Sequence, residues 1–201
     1  MKSFKVYRNG LLKKEVDAYH NMFYVGYKKE GNPDFLNHLK NMYFYESREV
    51  LLKSKKEVVD RLLTDLPEII KKEELKNVLV LCVPRSKADM HENQLYFYKS
   101  VEEACKELGI QCGVELIKRV KHTATTHLSK FKNENLPMPY PGITKDTCII
   151  NTEVIKGRDV ILIDDIYTKY CNIDEDCLQA VLDCEVRNLI FYAIAYTKRG
   201  V

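Results

Sequence analysis

The chain has no apolar run near the roughly 20 residues that a membrane helix needs, so no membrane association by a spanning helix is expected. Its start, Met1-Lys2-Ser3-Phe4-Lys5, lacks the apolar stretch of a secretion signal. None of the seven cysteines forms a Cys-x-x-Cys pair, and their number is odd. A zinc site wants closer spacing than theirs. The reading is reduced thiols used as small apolar side chains. Cys82 and Cys148 lie in apolar runs, and Cys177 and Cys184 share one face of a predicted helix. A cytoplasmic setting is the expectation. No Gly-x-Gly-x-x-Gly follows an apolar run, which removes a nicotinamide-binding Rossmann unit. Internal repeats and low-complexity segments are also absent. A formal net charge of +3 neither demands nor excludes a nucleic-acid partner.

What is there suits a globular chain: 201 residues, 45% hydrophobic and 30% charged, enough for one domain with a sizeable core. The first seventy-odd residues hold strand candidates at Phe4–Arg8, before Asn9-Gly10, and at Tyr19–Tyr27. Helix periodicity follows over Pro33–Tyr45 and Ser47–Leu63. Tyr43-Phe44-Tyr45 makes an aromatic stretch between the two helices. From residue 77 the pattern is strand, helix, strand. Val78–Val83 reads as a buried strand with Pro84-Arg85-Ser86-Lys87 as its exit loop, and Glu92–Leu108 as a helix stopped by Gly109. Val114–Ile117 is a short strand candidate. Lys118–Met138 reads as a long, polar, mobile loop with room for a short helix, and Pro137, Pro139 and Pro141 exclude regular structure where they cluster. Strands are expected at Cys148–Asn151, Val160–Ile163 and Asn188–Tyr196, and a helix at Ile173–Leu182. Strands alternating with helices predict an α/β fold, a mainly parallel sheet covered on both faces. Residues 1–75 are expected as a small hood or flank on a core formed by 76–201.

The apolar run Val160-Ile161-Leu162-Ile163 ends in Asp164 and Asp165, then a polar segment from Ile166 to Asn172. Open α/β sheets bind ligands at the carboxyl ends of such strands. Two adjacent carboxylates there can hold a metal, do acid/base work, or accept hydrogen bonds from a ligand diol. Neighbouring strand residues point to opposite faces, so joint work by the pair requires the strand to have ended. The plainer alternative is that one Asp caps the turn while the other is solvated. In the following loop, backbone N–H groups, Thr168, Lys169 and Asn172 can meet an anion beside a helix N-terminus. Asn172 can equally be the helix N-cap.

This segment resembles the 5-phosphoribosyl-1-pyrophosphate (PRPP) motif of type I phosphoribosyltransferases, usually DDVxTTGxT. Here it stands as Asp164-Asp165-Ile166-Tyr167-Thr168-Lys169-Tyr170-Cys171-Asn172, with Lys169, Tyr170 and Asn172 in place of a Thr, the Gly and the last Thr. Within that superfamily the chain is most similar to the amidophosphoribosyltransferase-like ComF family, without its zinc module. Leu39-Lys40, Cys82-Val83-Pro84, Asn93-Gln94, Lys118 to Thr123 and Ile155 to Asp159 carry that likeness by their order.

The resemblance implies transfer or release of a phosphoribosyl group between PRPP, with Mg²⁺, and a nitrogenous base or amine. Asp164 and Asp165 would bind the ribose hydroxyls, and Thr168, Lys169, Tyr170, Cys171 and Asn172 the 5-phosphate. Pro84, Arg85, Ser86 and Lys87 would meet the pyrophosphate. A closing loop over 118–136 would bring Arg119 and Lys121 to the reaction, with Lys118, His122 and His127 nearby. Mg²⁺ would arrive with the phosphates rather than on protein side chains. A homodimer is compatible with the resemblance.

A second reading keeps the fold but makes it a catalytically silent binding module, sensing a nucleotide or docking a protein partner in DNA metabolism. The substituted loop motivates it. A phosphoacceptor receiver domain fails on position, because there the acidic pair follows the first strand.

Overall fold

The computed structural model of the chain describes residues 1–124, 141–169 and 171–198. Expectations placed on His127, Pro137, Pro139 and Tyr170 lie outside these residues.

Among the described residues, eight strands and five helices make a three-layer α/β/α arrangement. β1 (Lys2–Val6) and β2 (Val16–Tyr24) come first, then α1 (Asp34–Lys40) and α2 (Arg48–Lys72). β3 (Val78–Cys82), α3 (Glu92–Leu108) and β4 (Gln111–Cys112) follow. β5 (Ile117–Arg119) and β6 (Cys148–Ile150) form a separate antiparallel ribbon. α4 (Thr152–Ile155), β7 (Asp159–Tyr167), α5 (Ile173–Leu182) and β8 (Asn188–Thr197) complete the order. The main sheet runs β1-β2-β8-β7-β3-β4, parallel throughout except for β1, which is antiparallel to β2. No helix among the described residues is long and apolar enough to cross a membrane.

Burial explains the apolar runs. Along β7, Ile161 and Ile163 pack with Leu39, Leu62, Leu66 and Val101 of α1, α2 and α3. Val160 and Leu162 pack on the other face with Leu178 and Val181 of α5 and Ile155 of α4. A strand covered on both faces reads as a continuous hydrophobic run instead of an alternating one.

Several boundaries differ from the sequence expectations for identifiable reasons. α2 continues to Lys72 through Pro67, well past Leu63. Ser47 caps its start, accepting from the Val50 N–H at 3.3 Å. Leu66 and Ile69, both fully buried, anchor the extra turns, so packing outweighs the missing proline N–H. α1 stops at Lys40, leaving 41–46 as a loop. Of the strand expected at 114–117, residues 114–116 are instead a turn between β4 and β5, with Leu116 N–H donating to Gly113 O at 2.9 Å, and the strand begins only at Ile117. Gly113 permits that turn: a Cβ there would lie 2.7 Å from Leu116 Cδ1 and 2.8 Å from Leu81 Cδ2. Lys118 and Arg119 lie in β5 and not in a mobile loop. The N-terminal region is built into the main sheet. β2 pairs with β8 from Ala18↔Phe191 to Tyr24↔Thr197, and α1 and α2 supply much of one helical layer.

The topology also locates a crevice. From β3 the chain leaves through α3 to β4 on one side, and from β7 through α5 to β8 on the other. α3 and α5 lie in opposite layers. The carboxyl ends of β3 and β7 therefore flank a topological switch point, where open α/β sheets bind ligands.

Candidate functional site

A cavity of about 330 Å³ occupies this crevice. Pro84, Arg85 and Ser86 reach it from the β3 exit, Asp164 and Asp165 from β7, and Asp174 from the first turn of α5. Lys40 and Tyr43 close it from the end of α1 and the loop beyond. Arg85 Nη1 lies 2.8 Å from Asp165 Oδ2 and 3.9 Å from Asp164 Oδ1, and Lys40 Nζ lies 3.4 Å from Asp165 Oδ1.

The strand does not end before the acidic pair: β7 continues to Tyr167 and carries both acids within it. They consequently serve different partners across the sheet. Asp165 is paired with Lys40 at the end of α1, while Asp164 is hydrogen-bonded to Asp174 in α5. Arg85 sits beside both at the strand end.

The cluster is buried and incompletely satisfied. Asp165 is 1% exposed, Asp174 3% and Asp164 9%. Both Asp165 oxygens, Asp174 Oδ1 and Arg85 Nε and Nη2 have no hydrogen-bond partner. Arg85 and Asp165 approach closely as charges without an aligned N–H. Buried polar groups are normally hydrogen-bonded, so an orphaned set of this density calls for an explanation.

Titration is perturbed accordingly. Burial, followed by the charge of Asp165, pushes the Asp164 carboxyl up to about 6. Burial, followed by the charge of Asp164, pushes Asp174 well above the carboxylate range. Burial acts upward on Asp165 too, but the charges of Arg85 and Lys40 hold it below its usual value. The hydrogen bond between Asp164 and Asp174 lowers Asp164 and raises Asp174, the sense expected when Asp174 donates and Asp164 accepts. Perturbed acids in a crevice mark a site candidate.

No family model and no curated protein matches the chain.

Of the residues singled out in the sequence, Pro84, Arg85, Ser86, Asp164, Asp165, Thr168 and Cys171 line the cavity. Four others point elsewhere. Lys87 donates to Thr123 O at 3.2 Å. Lys169 Nζ lies 5.8 Å from the Tyr7 ring centroid. Asn172 precedes α5 in a left-handed conformation, φ 62°, and its Oδ1 accepts from Asn9 Nδ2 at 3.1 Å without capping the helix. Lys121 is exposed.

Arg119 is buried in β5 and holds the β3 exit loop in place. Its Nε donates to Arg85 O at 2.9 Å and its Nη1 to Gly142 O at 2.5 Å. Thr123 N–H donates to Ser86 O at 2.8 Å, and Ala88 N–H to His122 Nδ1 at 3.0 Å. The described part of the expected closing segment is thus a clamp on the 85–88 loop.

Asp174 was not foreseen. Asp174-Glu175-Asp176 reads in sequence as acids complementing a helix dipole. All three are buried. Glu175 accepts from Tyr167 Oη at 3.0 Å, and Asp176 from the Gly142 and Ile143 N–H groups at 2.6 and 3.0 Å. Asp174 alone of the three faces the cavity. The available signal was that three charges in one turn cannot all face solvent when that helix covers an apolar sheet.

Proposed function

We propose that the crevice binds the phosphorylated ribose of PRPP and that the protein transfers or releases a phosphoribosyl group as a type I phosphoribosyltransferase-like enzyme. The reading rests on one observation, the buried set at the switch point between β3 and β7 in which Arg85, Asp165 and Asp174 carry unsatisfied polar atoms beside Asp164. Unpaired acceptors suit ribose hydroxyls, and the free guanidinium N–H groups suit phosphate oxygens. In the transfer, a nitrogen lone pair of the acceptor bonds to ribose C1. The C1–O bond breaks with its electron pair leaving on pyrophosphate, and the acceptor gives up a proton. Arg85 contributes positive charge at the leaving group, and the strand end contributes positioning.

No group of three His, Cys, Asp or Glu among the described residues is arranged to hold a metal. The oxygen-only character of Asp164, Asp165 and Asp174 nonetheless fits Mg²⁺ that shares its shell with substrate phosphates. When bound it would supply neutralisation of the pyrophosphate, and Asp164 and Asp174 would be the residues that hold its shell.

A silent binding protein is the second reading. Lys169 and Asn172 support it, since both engage the N-terminal loop rather than the cavity. Calorimetric titration with PRPP and Mg²⁺ tests the proposal. Micromolar binding, weakened at least about tenfold by Asp164→Asn, is the expected result. No heat at millimolar PRPP rejects it. Binding with no pyrophosphate release toward any base or amine favours the silent protein.

A further inference from the structure

Beside the charged cavity opens a larger cleft of about 820 Å³, and Lys40, Tyr43, Ile166 and Thr168 line both. Its rim is aromatic: Tyr27, Tyr43 and Phe44 line it and are 62%, 75% and 56% exposed. Lys28 Nζ sits 5.2 Å from the Tyr27 ring centroid. Exposed aromatic surface concentrated at one cleft marks a binding surface more than chance exposure does.

The loop that carries Tyr43 and Phe44 is tied down from inside the protein. Asn93, fully buried at the start of α3, donates to Asn41 O at 3.2 Å and Phe44 O at 2.9 Å, and accepts from Glu46 N–H at 3.3 Å. Asn41 Oδ1 accepts from Tyr43 N–H at 2.9 Å. A buried amide must find partners, and this one directs its side-chain hydrogen bonds to the aromatic loop. The result is a pre-organised display, which lowers the ordering cost of binding.

We infer that this cleft holds a planar aromatic ring, of the nucleobase kind, belonging to a small molecule whose phosphorylated end lies in the adjoining charged cavity. Continuity of the two walls at Lys40 and Tyr43 identifies the occupant, since one ligand can span both. Stacking on Tyr27 and Phe44 tolerates any base, because every base presents a π-face. The inference rests on the phosphoribosyl reading for the charged end and names the chemical class at the other: an aromatic base rather than a small amine.

The test titrates ribose 5-phosphate, adenosine 5′-phosphate and adenosine into the full chain, unmodified and with Tyr27→Ala plus Phe44→Ala. Both side chains are exposed, so the fold should tolerate their loss. The expected result is adenosine 5′-phosphate binding at least about tenfold tighter than ribose 5-phosphate. The double variant should erase that difference and leave ribose 5-phosphate unchanged. Equal binding of the two phosphates overturns the aromatic cleft while the charged site stands. Adenosine bound and lost in the variant, with ribose 5-phosphate unbound, keeps the cleft and rejects the phosphoribosyl reading. No binding by any probe overturns both. A cleft covered by a second copy, seen as a dimer in sedimentation that the double variant dissociates, overturns the aromatic cleft alone.

Discussion

The two ends of β7 carry acids in opposite conditions. At its start, Asp159 is buried and saturated. Arg187 grips it through Nε and Nη2 at 2.6 Å each, Lys76 N–H donates at 2.5 Å and Asn188 Nδ2 at 2.9 Å. At its end, Asp164 and Asp165 are also buried, yet oxygens of Asp165 and Asp174 and nitrogens of Arg85 go without hydrogen-bond partners. One strand thus shows what an acid looks like when the fold needs it and when the fold merely houses it. The saturated end joins β3, β7 and β8 at the base of the sheet. The unsaturated end keeps hydrogen-bonding capacity free at the switch point.

The titrations run in opposite directions. The hydrogen bonds from Arg187 lead in lowering Asp159, against burial. Its contribution to stability is present above the unfolded carboxyl value and is lost as pH falls through the folded one. Asp164 is raised by burial to about 6. Its contribution is full below the unfolded value and is lost as pH rises through about 6. Asp174 is raised by burial too, so its contribution has the same sign as that of Asp164.

The comparison breaks most readily at Asp159. Asp159→Asn should cost roughly 3 kcal/mol, read as a lower urea midpoint at pH 7, with ligand binding unchanged in what remains folded. A variant as stable as the parent would mean the saturated end is not structural. Next in size is Asp174→Asn, which keeps a donor for Asp164 and removes the raised acid. The fall in stability between pH 5 and pH 8 should shrink by about 1–3 kcal/mol, followed by thermal unfolding across that range. An unchanged slope would show that Asp164 and Asp174 do not titrate as a buried pair. The smallest effect belongs to Asn188→Ala, which removes one of several bonds to Asp159 and should cost about 1 kcal/mol. A loss matching that of Asp159→Asn would show that the acid depends on one partner.

The fold was legible where burial is symmetric. β3, β7 and β8 read as apolar runs, and α3 and α5 as helices with the observed bounds. What sequence could not give was long-range. The pattern at Tyr19–Tyr27 says strand but not that its neighbour is β8. Pro67 reads as a stop because the buried Leu66 and Ile69 beside it are invisible as contacts. The site was half legible. Arg85, Asp164 and Asp165 were found from an exit loop and a strand end. Asp174 and Lys40 were missed because their positions, at the start of one helix and the end of another, suit ordinary dipole-complementing charges. Their role exists only once the helices meet the same strand end from opposite layers.

The pairing of β2 with β8 has a consequence for how the chain is made. β1 and β2 are synthesised early and can pair with each other at once, since one short loop joins them. Their place in the sheet is beside β8, which leaves the ribosome after every other element of the fold. Until then Tyr19 and Ala18 have no inner neighbour, and the hairpin must wait as an unpaired edge. Closing so long a loop is entropically slow. The interval between the second strand and the last is therefore when this protein is most open to pairing with the wrong edge.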